Sequence, residues 1–166
     1  MKNVKLFITL FVVILLLLAW LKISPTNIEK TNNEEITSGE YSDEETQILL
    51  YFLDADGKTL SKEYRYVSLT SIQKDMLKTI VEELLKGPKS NELLKAIPTE
   101  TKLNSVTKDG NKAIVDFSAE FIAASDDEAT KLQKIYSVVN TITEIKEITE
   151  VEIRINGDTI ATKNRI

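Results

Sequence analysis

Apolar residues follow two different patterns along this chain. Leu6 to Leu21 (LFITLFVVILLLLAWL) is a run without charge in which Thr9 is the one polar residue, whereas from Gln47 onward apolar positions recur at the spacings of strands and helices. Between them, residues 23–46 carry Glu29, Glu34, Glu35, Glu40, Asp43, Glu44 and Glu45 against Lys30 alone, without apolar periodicity. That is the composition of a flexible acidic linker, with a root-mean-square reach of about 25 to 30 Å. As a helix the apolar run would be about 24 Å long, a little under the thickness of a bilayer core, and Lys5 and Lys22 can snorkel at its ends. Residues 6–22 are therefore read as a transmembrane anchor, with Trp20 near one interface. A cleaved signal peptide would share the charged start and apolar centre. The exit through Ala19, Trp20, Leu21, Lys22 and Ile23, however, offers no pair of small residues before Ser24, Pro25 and Thr26, which favours an uncleaved anchor. Lys2 and Lys5 place residues 1–5 in the cytoplasm by the positive-inside rule, and the rest of the chain outside it.

The region 47–166 predicts a compact domain. Gln47 to Leu53 (QILLYFL) suits a buried strand, with turn chemistry after it in Asp54, Ala55, Asp56 and Gly57. Tyr64 to Leu69 reads as a second strand, Tyr64, Tyr66 and Ser68 on one face and Arg65, Val67 and Leu69 on the other. Ile72, Met76, Leu77, Ile80, Val81, Leu84 and Leu85 then fall at helical spacing, with Thr70 and Gln73 as a capping box and Gly87 and Pro88 as the stop. Ser90 to Lys95 reads as one further helical turn. Leu103 to Thr107 and Lys112 to Phe117 predict a hairpin around Asp109, Gly110 and Asn111, and Ser118 caps a short helical piece through Ala124. Ser125 and Glu128 form a second capping box before Leu132, Ile135, Tyr136, Val139, Ile142 and Ile145. Val151 to Ile155 alternates as a half-buried strand ending at Asn156 and Gly157, and Ile160 to Thr162 returns as an edge. The order is strand, strand, helix, repeated once and closed by two strands. It predicts an α+β fold in which two main helices back one mixed or antiparallel sheet.

Composition narrows the chemistry. The 166 residues include no Cys and no His, which removes thiol nucleophiles, disulfides, Cys/His zinc sites and imidazole acid–base schemes. Lys2 and Lys5 are the only charged residues before Lys22, which leaves 19 of the 21 basic residues against all 26 acidic ones in the remainder. With no basic stripe to neutralise phosphates, nucleic acid is not expected as a partner.

Each candidate site has a plainer structural reading. Asp54 and Asp56 before Gly57 suggest a calcium loop, but a loop of that type would need Gly at its sixth position and Glu at its twelfth, where this chain has Thr59 and Arg65; an ordinary turn is the better reading. Asp116 points away from Ala113, Val115 and Phe117 if alternation holds, and is expected near Ser118 at the start of the next helical piece; no partner for catalysis is identifiable. Tyr51, Phe52, Tyr64 and Tyr66 could form a carbohydrate or peptide platform, yet aromatics on strands more often pack in cores or across strands. Lys74, Lys78, Lys86 and Lys89 read as a solvated helix face balanced by Asp75, Glu82 and Glu83, and also as a possible electrostatic contact in an assembly. No catalytic, cofactor-binding or metal-binding residue is assigned.

Several short segments, taken in order, carry a family resemblance: LYFLDADG (50–57), ELLKGP (83–88), AIP (96–98), AIVDFS (113–118), NTITE (140–144) and VEIRING (151–157). Together they resemble the GerM-type (GerMN) domain of sporulation and spore-germination proteins over almost all of residues 47–160. The matching positions include Tyr51, Phe52, Asp54, Gly57, Leu84, Leu85, Gly87, Pro88, Ile97, Pro98, Val115, Asp116, Ser118, Asn140, Thr141 and Gly157, and the resemblance implies structural roles for them. It further implies a non-enzymatic extracytoplasmic domain similar to ring-building domains of bacterial envelopes, which would associate with itself or with other envelope or sporulation proteins. This chain lacks the lipobox Cys of lipoprotein members, so the apolar run is expected to do the anchoring. The expected function is a membrane-anchored assembly scaffold; the alternatives are a cell-wall or small-ligand binding domain and, third, a carboxylate-dependent hydrolase.

Overall fold

The computed structural model describes residues 44–164. The expected cytoplasmic N-terminus (1–5), the anchor (6–22) and the linker up to residue 43 lie outside the described residues. Among the described residues no helix is long and apolar enough to cross a membrane.

In chain order the elements are β1 (Glu45–Leu53), β2 (Leu60–Ser68), α1 (Leu69–Lys74), α2 (Met76–Lys86), β3 (Leu103–Asp109), β4 (Lys112–Phe117), a 3-10 turn (Ala119–Phe121), α3 (Glu128–Ile142), β5 (Glu150–Ile155) and β6 (Asp158–Asn164). This is the expected α+β order. β1 opens at Glu45, so the last two residues assigned to the linker are strand.

The strands do not form the single sheet expected. β1 and β2 make an antiparallel ribbon of their own, while β3, β4, β5 and β6 lie side by side in a second sheet of four strands. Within that sheet the β3–β4 and β5–β6 pairs are antiparallel, and β4–β5 is parallel. The parallel pair follows from the connection: residues 118–149 contain α3 and carry the chain back across the sheet, which a tight turn cannot do. At the β5–β6 turn, Asn156 and Gly157 both take positive φ (50° and 91°), the requirement of a two-residue hairpin turn that Asn-Gly satisfies. The β3–β4 turn is Gly110–Asn111, with Asp109 still in the strand.

Helix boundaries differ from the expected ones because several short polar side chains compete to cap. The first helical pattern is broken in two at Asp75, which has extended backbone (φ −160°, ψ 93°) and accepts from Lys78 N at 3.0 Å to start α2. α1 begins with Ser68 accepting from Ser71 N, not with the Thr70–Gln73 box. Met76, beside the break, faces solvent instead of joining the apolar stripe. For α3 the cap is Asp127, accepting from Thr130 N at 2.8 Å, in place of Ser125. Neighbouring Asp126 turns back to accept from Ala123 N and from the buried Lys134 ammonium. Ser90 to Lys95 is not helical; Leu94 forms an antiparallel bridge to Leu53.

One core serves both sheets. Ile48, Leu50, Phe52 and Val67 come from the ribbon, Ile80, Val81 and Leu84 from α2, Ile135, Val138, Val139 and Ile142 from α3, and Ala113, Val115, Phe117, Val151 and Ile153 from the larger sheet. At about 25 cal/mol per Å² of apolar surface buried, this cluster is the dominant stabilising term. Leu132, expected to lead the stripe of α3, is only half-buried, and Val138 takes its place in the core. Phe117 stacks on Phe121 of the 3-10 turn, with centroids 4.6 Å apart and rings 3° from parallel.

Candidate functional site

β2 has two faces of opposite character. Its inner face carries Glu63, Arg65 and Val67, all buried, and its outer face carries Lys62, Tyr64 and Tyr66, all exposed. Burying Arg65 requires partners for its charge and its N–H groups. It donates to Glu83 O (2.8 Å), the Glu83 carboxylate (3.1 Å), the Glu63 carboxylate (2.5 Å) and Gly87 O (2.7 Å), and lies 5.7 Å from the Phe52 ring centre. The second oxygen of Glu63 accepts from Lys89 N and Ser90 N. Burial pushes the Glu63 carboxyl up, but the bonds from Ser90 N, Arg65 and Lys89 N outweigh it and hold the group below its ordinary value. Glu83 is likewise lowered against burial by Lys86 and Arg65. The cluster fastens the ribbon to the end of α2, and every one of its charges is matched by an opposite one.

A second polar set runs along α3 and just past its end, at steps of three and four. The Ser137 hydroxyl donates to Tyr51 O (2.7 Å), Thr141 Oγ1 accepts from Tyr51 N (3.0 Å), Glu144 accepts from the Tyr51 hydroxyl (2.6 Å), and the Gln133 amide donates to Gly57 O (2.8 Å). The Ser137 and Thr141 bonds take up the outward backbone groups of Tyr51 at the edge of β1. Sequence reasoning singled out Thr141 by family likeness but missed Gln133, Ser137, Glu63 and Arg65. The one available signal for Arg65 was its position on the same face of β2 as Val67.

Asp54 accepts from Lys58 N, Thr59 N and the Thr59 hydroxyl, and Asp56 from Lys58 N, the hydrogen bonding of an inter-strand turn. The two carboxyls also interact: a hydrogen bond with Asp56, then one with Thr59, holds Asp54 far below the usual carboxylate range, while Asp54 pushes Asp56 up. Asp116 does not organise the start of the following helical turn. It accepts from Gly157 N at 3.0 Å and braces the β5–β6 turn, while Ser118 accepts from Lys102 N at 2.9 Å and makes no cap. Among the described residues no group of three or more acidic side chains is arranged to hold a metal ion.

The remaining motif positions are dispersed through the fold. Phe52, Leu84, Ile97 and Val115 are in the core, Asn140 is buried on α3, Leu85 is half-buried, and Gly87 closes α2 with Pro88 after it. Pro98 O accepts from Thr101 N. The structure does not bring these positions together around a cavity. Of the four aromatic residues considered as a platform, Tyr51 and Phe52 are buried, as packing required, but Tyr64 and Tyr66 are 62% and 61% exposed. An open groove of about 450 Å³ runs beside Gln47 and Leu49, lined also by Ile72, Met76, Ile80 and Ile145. Lys74, Lys78, Lys86 and Lys89 are exposed, Lys78 near Glu82 and Lys86 paired with Glu83.

The model of the Germane family, described as "Sporulation and spore germination", matches residues 49–161. The spore germination protein GerM of Bacillus subtilis (strain 168) is 28% identical over 138 residues, which is 80% of this chain and 36% of that protein. The chain thus spans about a third of the length of this curated relative. The fold is similar to that of the first GerMN domain of the B. subtilis sporulation protein GerM, with a TM-score of 0.58 and 25% identity over 69% of this chain and 86% of that one. The tandem GerMN domains of the same protein give a TM-score of 0.51 at 24% identity, covering 70% and 41%.

Proposed function

Because the chain belongs to the Germane family of sporulation and spore germination, we propose that it is an assembly domain, held outside the cytoplasm by residues 6–22 and working by docking to other proteins without reaction chemistry of its own. The observation that carries this reading is where the motif residues are used. Phe52, Leu84, Ile97 and Val115 pack the core, and Asp54, Asp116 and Thr141 bond backbone groups, so these positions maintain a shape. The two tyrosines that face solvent on β2 and the lysines around α2 supply aromatic and charged contact surface, the residue types that anchor and steer interfaces. Small contacts of this kind add up when the partners share one membrane surface.

The test is sedimentation of the full chain in mild detergent, alone and with solubilised envelope proteins from sporulating cells. Faster-sedimenting complexes in either mixture are expected. A chain that stays solitary in both contradicts the assembly reading. A second reading, a cell-wall binding domain, is favoured by the shared exposure of Tyr64 and Tyr66 on one strand face; it expects saturable peptidoglycan pull-down that Tyr66→Ala abolishes without loss of folding.

A further inference from the structure

We propose that β2 is a self-pairing edge: two copies of the chain join antiparallel through β2, centred on Tyr64, so that their two ribbons become one continuous sheet. This rests on the assembly reading above and names its partner surface.

The phase of the β1–β2 ladder shows which backbone groups are open. Tyr51 turns its N–H and C=O away from β2 toward Thr141 and Ser137, so its partner Lys62 also turns its own groups outward. By alternation Tyr64 and Tyr66, opposite Leu49 and Gln47, do the same. No hydrogen bond from the described residues reaches these outward groups of Lys62, Tyr64 or Tyr66. The strand is straight there: its nine paired positions run from Glu45↔Ser68 to Leu53↔Leu60 without a register shift.

The other sheet edges in the described residues are broken or partly covered. Along β1, Tyr51 is covered by α3 and Leu53 is bridged to Leu94, while Gln47 and Leu49, outward by the same alternation, open onto the groove lined by Ile72, Ile80 and Ile145. β3 carries a bulge between Leu103 and Ser105, and β6 carries one opposite Ile153 and Arg154. Bulges, charges and covering elements are the usual devices against edge-to-edge pairing. β2 instead presents two exposed tyrosines beside its open groups, with Lys62 as its one outward charge.

Charge selects the occupant and the register. With Tyr64 opposite Tyr64, Lys62 meets Tyr66 of the second copy, and on the inner side Glu63 faces Arg65. Glu63 and Arg65 are already paired within each chain, and this register keeps opposite charges adjacent across the seam; sliding by one pair in either direction brings Glu63 beside Glu63 or Arg65 beside Arg65, and opposed like charges destabilise a strand pair. The Tyr64-centred register therefore combines aromatic and cation–π contacts with about six new backbone hydrogen bonds. Such a contact is isologous and closes as a two-fold dimer, so any larger ring would use a further surface.

The absence of cysteine makes the test clean. In the full chain, in mild detergent, Tyr64→Cys is expected to form a disulfide dimer on mild oxidation, because facing Cα atoms lie about 5.5 Å apart. Tyr66→Cys alone is expected to give at least about tenfold less, its copies being about 14 Å apart at about 3.4 Å per residue. Combining Lys62→Cys with Tyr66→Cys restores the cross-link, and adding Tyr64→Lys to that pair lowers it about tenfold while circular dichroism stays unchanged. Absence of a Tyr64→Cys dimer, or equal yields from all single variants, overturns the pairing. A chain that fails this test yet sediments with envelope proteins overturns the pairing and leaves the assembly reading standing; cross-linked dimers that never sediment with envelope proteins keep the pairing and overturn docking to other proteins.

Discussion

At Arg65 the opposing energies are both several kcal/mol: desolvating the guanidinium is costly, and two carboxylates and two carbonyls offset it. Arg65→Met keeps the apolar stem but leaves Glu63 and Glu83 without their buried cation. A loss of about 3–5 kcal/mol in urea denaturation near neutral pH is expected. The pH dependence follows from the lowered pKa values of both carboxyls. A carboxyl whose folded pKa lies below its unfolded value stabilises the fold above the unfolded value, and that contribution disappears as pH falls through the folded one. The parent chain should therefore lose stability on acidification below the ordinary Glu value of 4.5. The gap to Arg65→Met should narrow over the same range as the carboxylates become neutral. Gly87 is the second sensitive residue: its φ of 87° and ψ of 177° belong to glycine alone, and a Cβ there would lie 3.2 Å from Lys95 Cδ. Gly87→Ala is expected to cost about 1–3 kcal/mol in the same denaturation measurement.

Among the elements, α3 does two jobs with two faces. Ile135, Val138, Val139 and Ile142 fill the core, while Gln133, Ser137 and Thr141 hold the β1 edge and the turn after it. Thr141→Val keeps the shape and removes the acceptor for Tyr51 N, which should cost about 1–3 kcal/mol. Hydrogen exchange should show the Tyr51 amide losing protection while amides in β4 and β5 keep theirs. Strands and helices were legible in the sequence because alternation and helical spacing mark buried faces, and the Asn156–Gly157 turn because positive φ demands particular residues. Their limits were not, since Ser125, Asp126 and Asp127 can all cap a helix and only tertiary contacts decide that Asp126 binds Lys134. Division into two sheets was also illegible, because alternation records which side of a strand is buried and not which neighbour it pairs with. The polar set on α3 was hidden for the same reason: its partners are backbone atoms 76 to 90 residues away.

In the whole molecule, a domain packed by its motif residues follows an apolar run in the sequence. Two basic residues flank that run on its N-terminal side, and the linker after it is strongly acidic, so the domain is expected across the membrane and clear of anionic headgroups. Docking outside the cytoplasm depends on that placement. The direct measurement is a reporter that becomes active only outside the cytoplasm, fused after Ile166 in an endospore-forming host. The account predicts an active reporter in the membrane fraction and an inactive one when residues 6–21 are deleted; an inactive, cytosolic reporter on the full chain would contradict it.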